Sequence, residues 1–278
     1  INDQVNFEKL IQVFVGGGPE NMHILSDFDR TLTYALVNGQ KSPSIIAQLR
    51  NGDYLSKEYS SEAHALFNTY HCFETDPELS RAERSAKMQE WWDKHHKLLI
   101  KSGLTRRAMD EVVAKSTLKF REGALSLFDL TKQNNIPLII MSAGPGYMIA
   151  KYLEQEKRLY DNVHIIANWY EFDDSGNMIG IKEPVIHSLN KYEIVVKEYP
   201  IFETIKNRKN VLLMGDGIDD VGMIEGFEYD NLLKIGFLND GVEKNLDKFT
   251  ANFDVVITRD SGMEYVDKLL QRILKKFD

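Results

Sequence analysis

The stretch His23-Ile24-Leu25-Ser26-Asp27-Phe28-Asp29-Arg30-Thr31-Leu32-Thr33 decides how this chain folds. It opens on a short apolar run of the kind a buried strand carries, and the run stops at two aspartates, Asp27 and Asp29. In extended chain, residues i and i+2 project to one side, so both carboxylates face one crevice at the strand's end. Adjacent carboxylates repel each other, and burying them unpaired is costly. A cation therefore belongs nearby, and a hard divalent ion such as Mg²⁺, which takes oxygen ligands, meets the need. The hydroxyls of Thr31 and Thr33 can tie down the turn that follows. The plain alternative is a strand running into an acidic turn.

Working outward, the chain from Gly123 alternates helical and strand patterns. Ile136 to Met141 is a continuous apolar run, as expected of a strand covered on both faces, and it ends in Ser142-Ala143-Gly144-Pro145-Gly146. Val163 to Ala167 reads as another strand, and Trp169–Phe172 and Met178–Ile181 flank Asp173-Asp174-Ser175-Gly176-Asn177 as a hairpin. Val211 to Met214 runs into Gly215-Asp216-Gly217. Leu232–Leu238, Phe253–Thr258 and a helix over Met263–Leu274 complete the chain. Strands alternating with helices predict an α/β fold with a parallel sheet and right-handed crossovers. Ligands of such sheets sit beyond the carboxyl ends of the strands. Three apolar runs end there in groups of use to a phosphate: Asp27, Ser142 and Asp216. Backbone N–H groups at Ser142-Ala143-Gly144, just before a helix, form a ready anion cradle, although Gly144-Pro145-Gly146 also reads as a simple tight turn.

The first 120 residues differ in texture. Val5, Leu10, Val13 and Phe14 have helical spacing, and Gly16-Gly17-Gly18-Pro19 ends that helix. Residues 39–53 read as loop. Ser56 can cap a helix over Tyr59, Ala63, Leu66, Phe67 and Tyr70, which Asp76-Pro77 breaks. Ser80 and Glu83 form a capping box for a long helix through Met88, Trp91, Trp92, His95 and Leu99. Thr105 caps a third helix over Met109, Val112 and Val113. Residues 44–119 are thus expected as a helical insertion in a core made of 1–43 and 120–278.

Composition excludes several function classes. Of 278 residues, 43% are apolar and 27% charged, and the net charge of −8 leaves no basic footprint for nucleic acid or anionic membrane. An anionic substrate must then rely on local cations. Cys72 is the single cysteine, so no intrachain disulfide forms, which fits a reducing compartment. No apolar run reaches the roughly 18 residues of a membrane helix. Ile1-Asn2-Asp3-Gln4 has no signal-peptide pattern and no initiator Met, so the expectation is a cytoplasmic protein with a trimmed start.

Asp27-Phe28-Asp29-Arg30-Thr31-Leu32-Thr33 resembles the Asp-x-Asp-x-Thr motif of haloacid-dehalogenase-type phosphatases. In detail the chain resembles the cytosolic 5'-nucleotidase III (pyrimidine 5'-nucleotidase) family. The resemblance implies a haloacid-dehalogenase-like Rossmannoid sheet with a helical cap, and Mg²⁺-dependent hydrolysis of nucleoside 5'-monophosphates. Asp27 would be the nucleophile and Asp29 the acid and base. Mg²⁺ would be held by the Asp27 side chain, the Asp29 backbone carbonyl and Asp216, with Asp220 as a ligand or as support behind the ligands. Ser142 and Ala143 would hold the phosphate. Lys191, unremarkable by pattern alone, would screen it as a point cation. Asp219 reads as a solvated turn residue.

In the insertion the resemblance puts Glu74 on the base edge and Trp92 stacked on the base, and leaves Trp91 in the core. By spacing alone both tryptophans read as core. His95 stands where the family often has Ser or Ala, and Ser44-Ile45-Ile46-Ala47 departs from both its pyrimidine and 7-methylguanosine branches. Pyrimidine-preferring members tend to carry Tyr at the Trp92 position, and the 7-methylguanosine branch Trp. The partner expected is a small nucleotide, and the protein a monomer. Rival readings are a phosphatase for a sugar phosphate or phosphoserine, a phospho-aspartate signalling module, and a non-catalytic nucleotide binder.

Overall fold

The computed structural model describes residues 1–191, 199–225 and 228–275. In chain order it contains α1 (Gln4–Gly17), β1 (Met22–Ser26), a small hairpin of β2 (Leu36–Val37) and β3 (Gln40–Lys41), and helices α2 (Ile45–Asn51), α3 (Tyr59–Tyr70), α4 (Arg81–Lys101) and α5 (Arg106–Lys115). There follow α6 (Ala124–Gln133), β4 (Leu138–Pro145), α7 (Gly146–Gln155), β5 (Val163–Asn168), and a second hairpin of β6 (Tyr170–Phe172) and β7 (Met178–Ile181). The last stretch is α8 (Phe202–Ile205), β8 (Asn210–Gly215), β9 (Asn231–Leu238), α9 (Val242–Asn252), β10 (Val255–Thr258) and α10 (Glu264–Leu274).

Six parallel strands form one sheet in the order β10-β9-β8-β1-β4-β5. Alternate residues of the central strands serve opposite faces, as a strand's two-residue period requires. Ile24, Leu138, Ile140, Leu212 and Met214 join one core cluster. Leu25, Ile139, Met141, Val211 and Leu213 join the other. That double burial is why these strands read as unbroken apolar runs. From β1 the chain lays β4 and β5 on one side, then crosses to lay β8, β9 and β10 on the other. The crevice of an α/β sheet opens at such a reversal. Here it opens at the end of β1, where Asp27 donates its N–H to Met214 O at 3.0 Å.

Helices α2 to α5 lie over this end. Ser80 and Glu83 make the expected capping box on α4, and the Thr105 hydroxyl accepts from Ala108 N at 3.1 Å on α5. The β6–β7 hairpin joins them from the later part of the chain. Met178 N donates to Leu104 O at 2.8 Å, and Arg106 N to Gly176 O at 3.1 Å. Ion pairs tie α4 down to the turn after β8: Arg81 to Glu225 at 2.9 Å and Arg84 to Asp219 at 3.9 Å.

Several local expectations are corrected. Helix α1 buries Phe7, Ile11, Phe14 and Val15, while Val5 and Val13 face solvent. The helix turns the stripe that meets α10 and β9 inward, not the one that includes its first apolar residue. Residues 39–53 are not loop throughout. Ile45, Ala47 and Leu49 bury one face of α2 there. Ser56 does not cap α3 through its side chain; its carbonyl accepts from Tyr59 N at 3.1 Å.

Candidate active site

The site is built around the turn after β1. Arg30 takes a left-handed backbone conformation, φ 63°, which costs a non-glycine residue energy unless its surroundings hold it. Three groups do so. Its N–H donates to Thr33 Oγ1 at 2.9 Å, and its carbonyl accepts from Asn239 Nδ2 at 3.0 Å and from Arg121 Nη2. Arg121 is fully buried and also donates to the carbonyls of Thr31 and Ser261, while pairing with Asp260 at 3.0 Å. Thr33 ties the turn as expected, whereas the buried Thr31 hydroxyl has no partner among the described residues.

Asp27, Asp216 and Asp220 converge from β1 and from the end of β8. Each offers a carboxylate oxygen, and these oxygens lie within 4.8 Å of one another. Gly215 makes the approach possible. A Cβ there would meet Asp220 Cβ at 2.4 Å. Gly217 N donates to Asp220 Oδ2 at 2.9 Å and orients it. Asp220, expected as ligand or support, therefore offers its oxygen directly to the cluster.

Lys191 lies among them, buried, with its ammonium on Asp27 and 3.1 Å from Asp220 Oδ1. Burial disfavours that ammonium, yet Asp220, Asp27 and Asp216 hold its pKa above the usual lysine value. Burial also pushes the Asp27 carboxyl up to about 6, against Lys191 and with Asp220. Burial and then Asp27 raise Asp216 well above the carboxylate range. One ammonium among three carboxylates leaves negative charge uncompensated. The donor set is all carboxylate oxygen, which suits a hard divalent cation.

Asp29 lines the same cavity but is not one of the three grouped carboxylates. Its Oδ1 accepts from Ile45 N at 2.9 Å, the first residue of α2. Burial and the neighbouring Asp27 raise it to about 7. The β4 end supplies the third wall. A bulge between Met141 and Pro145 lets Gly144 N donate to Ser142 Oγ at 3.0 Å. A Cβ on Gly144 would strike Ile45 Cγ2 at 2.3 Å, so only glycine lets α2 close on this loop. Asn168 Nδ2 donates to the carbonyls of Ala143 and Ile186, bolting the β4 loop to the segment that carries Lys191.

Between sheet and helices lies a cavity of about 460 Å³. Asp27, Asp29, Asp216, Ser142, Ala143 and Lys191 line its floor side, and Glu74, Trp91, Trp92 and His95 line it from the helices. Trp92 is buried and Trp91 half-buried, their rings 6.3 Å apart. Trp91 therefore is not a core residue. It turns its edge to Phe67, which stacks on His71 with centroids 4.5 Å apart. Neighbours on a helix point about 100° apart, so two adjacent tryptophans cannot share one core direction, a signal present in the sequence. Glu74 Oε2 lies 3.1 Å from His71 Nδ1, and its backbone carbonyl accepts from Arg84. His95 is buried with Nε2 3.0 Å from the Tyr59 hydroxyl. A larger hollow, about 770 Å³, runs along strand β5, and Asp27, Asp29, Asp216 and Asp220 are not among the residues that line it.

Sequence reasoning missed Arg121 and Asn168. Both are polar residues whose buried partners come from distant segments, and no local pattern marks them.

A parallel sheet with carboxylates at the ends of β1 and β8 beneath inserted helices defines the haloacid-dehalogenase-type hydrolase class. A phosphoserine phosphatase, solved as a phospho-aspartyl intermediate analogue, shares the fold with a TM-score of 0.54 at 19% identity over 90% of this chain and 98% of that one. More narrowly, the chain is an enzyme and belongs to the pyrimidine 5'-nucleotidase (UMPH-1) family, whose model matches residues 30–274. The match starts one residue after Asp29. The 7-methylguanosine phosphate-specific 5'-nucleotidase of Rattus norvegicus is 35% identical over 272 residues, covering 98% of this chain and 91% of the relative. The protein of that name from Homo sapiens is 36% identical over 269 residues, 95% of this chain and 90% of the relative. A crystal structure of cytosolic 5'-nucleotidase IIIB bound to cytidine superposes with a TM-score of 0.91 at 32% identity, over 99% of this chain and 93% of that one.

Proposed function

We propose that the chain hydrolyses nucleoside 5'-monophosphates (CMP, UMP or 7-methyl-GMP) to nucleoside and phosphate, with Mg²⁺, through an aspartyl-phosphate. One observation carries this. Asp27 and Asp216 of the carboxylate cluster, with Lys191, line the floor of the same cavity that Trp91, Trp92 and His95 line from above. A phosphate end and an aromatic end in one pocket suit a nucleotide. A sugar-phosphate or phosphoserine site would not need the aromatic end.

Asp27, Asp216 and the Asp29 backbone carbonyl would hold Mg²⁺, with Asp220 as a further ligand or a brace. The ion supplies positive charge that lets an anionic phosphate approach an anionic nucleophile. The remaining chemistry belongs to the chain. Asp27 attacks phosphorus and the bond from phosphorus to the nucleoside O5' breaks. Asp29, protonated at the start, delivers its proton to that oxygen. Asp29 then takes a proton from water, and the water oxygen attacks the phosphorus of the aspartyl-phosphate. Phosphate leaves and the Asp27 carboxylate is restored. Lys191 passes its charge from Asp27 to the phosphoryl oxygens, and the Ser142 hydroxyl and a backbone N–H near Ala143 donate to the rest of the anion. Glu74 and Trp92 engage the base. A cytoplasmic location is proposed with this function, supported by the name of the cytidine-bound relative.

The test is a panel of nucleoside monophosphates assayed for released phosphate with Mg²⁺ and with chelator, plus acid quenching with 5'-radiolabelled CMP. Wild type is expected to carry a hydroxylamine-labile label and Asp27→Asn none. Full turnover by Asp27→Asn, or undiminished activity in chelator, would refute the scheme.

A further inference from the structure

Arg50 lies in the last turn of α2 and lines the same cavity. Its guanidinium carbon sits 4.1 Å from the centroid of the Phe67 ring. The His71 ring stacks on Phe67 as well, at 4.5 Å. Two groups at contact distance cannot share one face of a ring, so Arg50 and His71 sandwich Phe67. Arg50 is close enough to His95 to oppose its protonation. It therefore belongs to the aromatic end of the cavity, away from the phosphate cradle.

Its partners are the notable point. Among the described residues, no carboxylate or carbonyl accepts a hydrogen bond from the guanidinium, and the buried Nε has no partner. The Ser60 hydroxyl donates to the Arg50 backbone carbonyl at 2.8 Å and leaves the guanidinium untouched. A guanidinium presents five donors in a planar fork and is fixed here by stacking, so little freedom remains to be lost on binding. Half-buried donors without acceptors are unfavourable until something supplies them.

We propose that Arg50 is a specificity-determining residue that donates to a carbonyl oxygen of the nucleobase, so that the cavity selects oxo bases (cytosine, uracil, guanine) over adenine. This rests on the nucleotidase reading of the site. Glu74 offers an acceptor for the amino or imino hydrogens of such bases, and Arg50 offers the complementary donors. Adenine carries an amino group but no carbonyl oxygen. A site built to hydrogen-bond a group rejects the analogue that lacks it, because its own buried polar atoms are left unpaired. The fixed positive charge also disfavours a base that is itself cationic, so Arg50 opposes 7-methylguanine where Trp92 and Glu74 attract it.

The experiment reads binding rather than turnover. Cytidine, uridine, guanosine, 7-methylguanosine and adenosine are titrated into wild type, Arg50→Met and Arg50→Lys, followed by tryptophan fluorescence. Wild type is expected to bind cytidine, uridine and guanosine at least tenfold tighter than adenosine. Arg50→Met should weaken those three about tenfold, leave adenosine within twofold, and weaken 7-methylguanosine least among the oxo bases. Arg50→Lys keeps the charge but not the fork, and should lose cytidine severalfold while adenosine holds, which covers the case of a Met variant that does not fold. Equal losses for cytidine and adenosine, or none for either, would overturn the role of Arg50 while leaving nucleoside binding intact. Wild type that binds no nucleoside would overturn the nucleotide reading itself.

Discussion

Replacing Arg121 with Met should be the most damaging single change outside the cavity. The Arg121 side chain is completely buried and its partner Asp260 nearly so. Removing one member of a buried ion pair costs about 3–5 kcal/mol, because the other charge stays buried. Asp260 keeps some compensation, since it still accepts from Ala35 N at 2.9 Å and Leu36 N at 2.7 Å. That argues for the lower end, about 3 kcal/mol. The carbonyls of Thr31 and Ser261 also lose the donor Arg121 gives them, at about 1 kcal/mol or more each, though not additively, while that of Arg30 keeps Asn239 Nδ2. A total of roughly 4–6 kcal/mol follows, against a whole-protein stability of about 5–15 kcal/mol. Urea unfolding followed by far-UV circular dichroism measures it as a lowered midpoint at unchanged slope. Arg121→Met combined with Asp260→Asn should recover more than about 1 kcal/mol of the loss, since the stranded charge is gone. The left-handed turn at Arg30 loses one of its clamps, so turnover of CMP should fall at least tenfold even where the variant remains folded. A loss of stability below about 1 kcal/mol would show that the turn after Asp29 is held by something other than this arginine.

Trp92→Ala should harm hydrolysis of 7-methyl-GMP more than of CMP, because a cationic base gains about 0.5–2 kcal/mol from the indole face; equal losses in kcat/KM would contradict this. Gly215→Ala brings a Cβ within 2.7 Å of Asp220 Oδ2, so the Mg²⁺ concentration for half-maximal activity should rise about 10–100-fold in a metal titration. Burial holds His95 down to about 3, with help from His96 and Arg50, and holds His96 down to about 4. Below pH 6.5 the unfolded chain then takes up protons that the folded one refuses. The stability these histidines contribute is complete above that pH and fades as pH falls toward 3–4, by about 1.4 kcal/mol per pH unit for each. His96→Gln should therefore reduce the slope of unfolding free energy against pH between 6.5 and 5 by about one proton.

Much of the fold was legible because the sheet is covered on both faces. Ile24, Leu138 and Leu212 serve one cluster and Leu25, Ile139 and Leu213 the other, so each strand appears as an uninterrupted apolar run. The carboxylates Asp27 and Asp216 were legible because the runs of β1 and β8 end on them. Helix α4 announced itself through Ser80 and Glu83, a purely local pairing. What escaped depends on distant chain. Which stripe of α1 turns inward is set by α10 and β9, and the helix alone offers more than one apolar face. Arg121 draws on residues 30, 31, 239, 260 and 261, and Asn168 on 143 and 186, so neither leaves a trace in its own neighbourhood. Lys191 is an ordinary lysine until the fold delivers it to Asp27. Trp91 was hidden by its partner, since one of two adjacent aromatics satisfies a core and the other is left to face the cavity.

The β6–β7 hairpin has a bearing on how this molecule could have been assembled. Its backbone bonds to Leu104 and Arg106 stitch the helical lid to a segment translated some seventy residues later. The lid is thus no removable cassette: excising residues 44–119 would strip Met178 and Tyr170 of their cover, and grafting them elsewhere would leave the underside of α4 bare. Exchange of lids between related enzymes should succeed only when the hairpin travels with the helices.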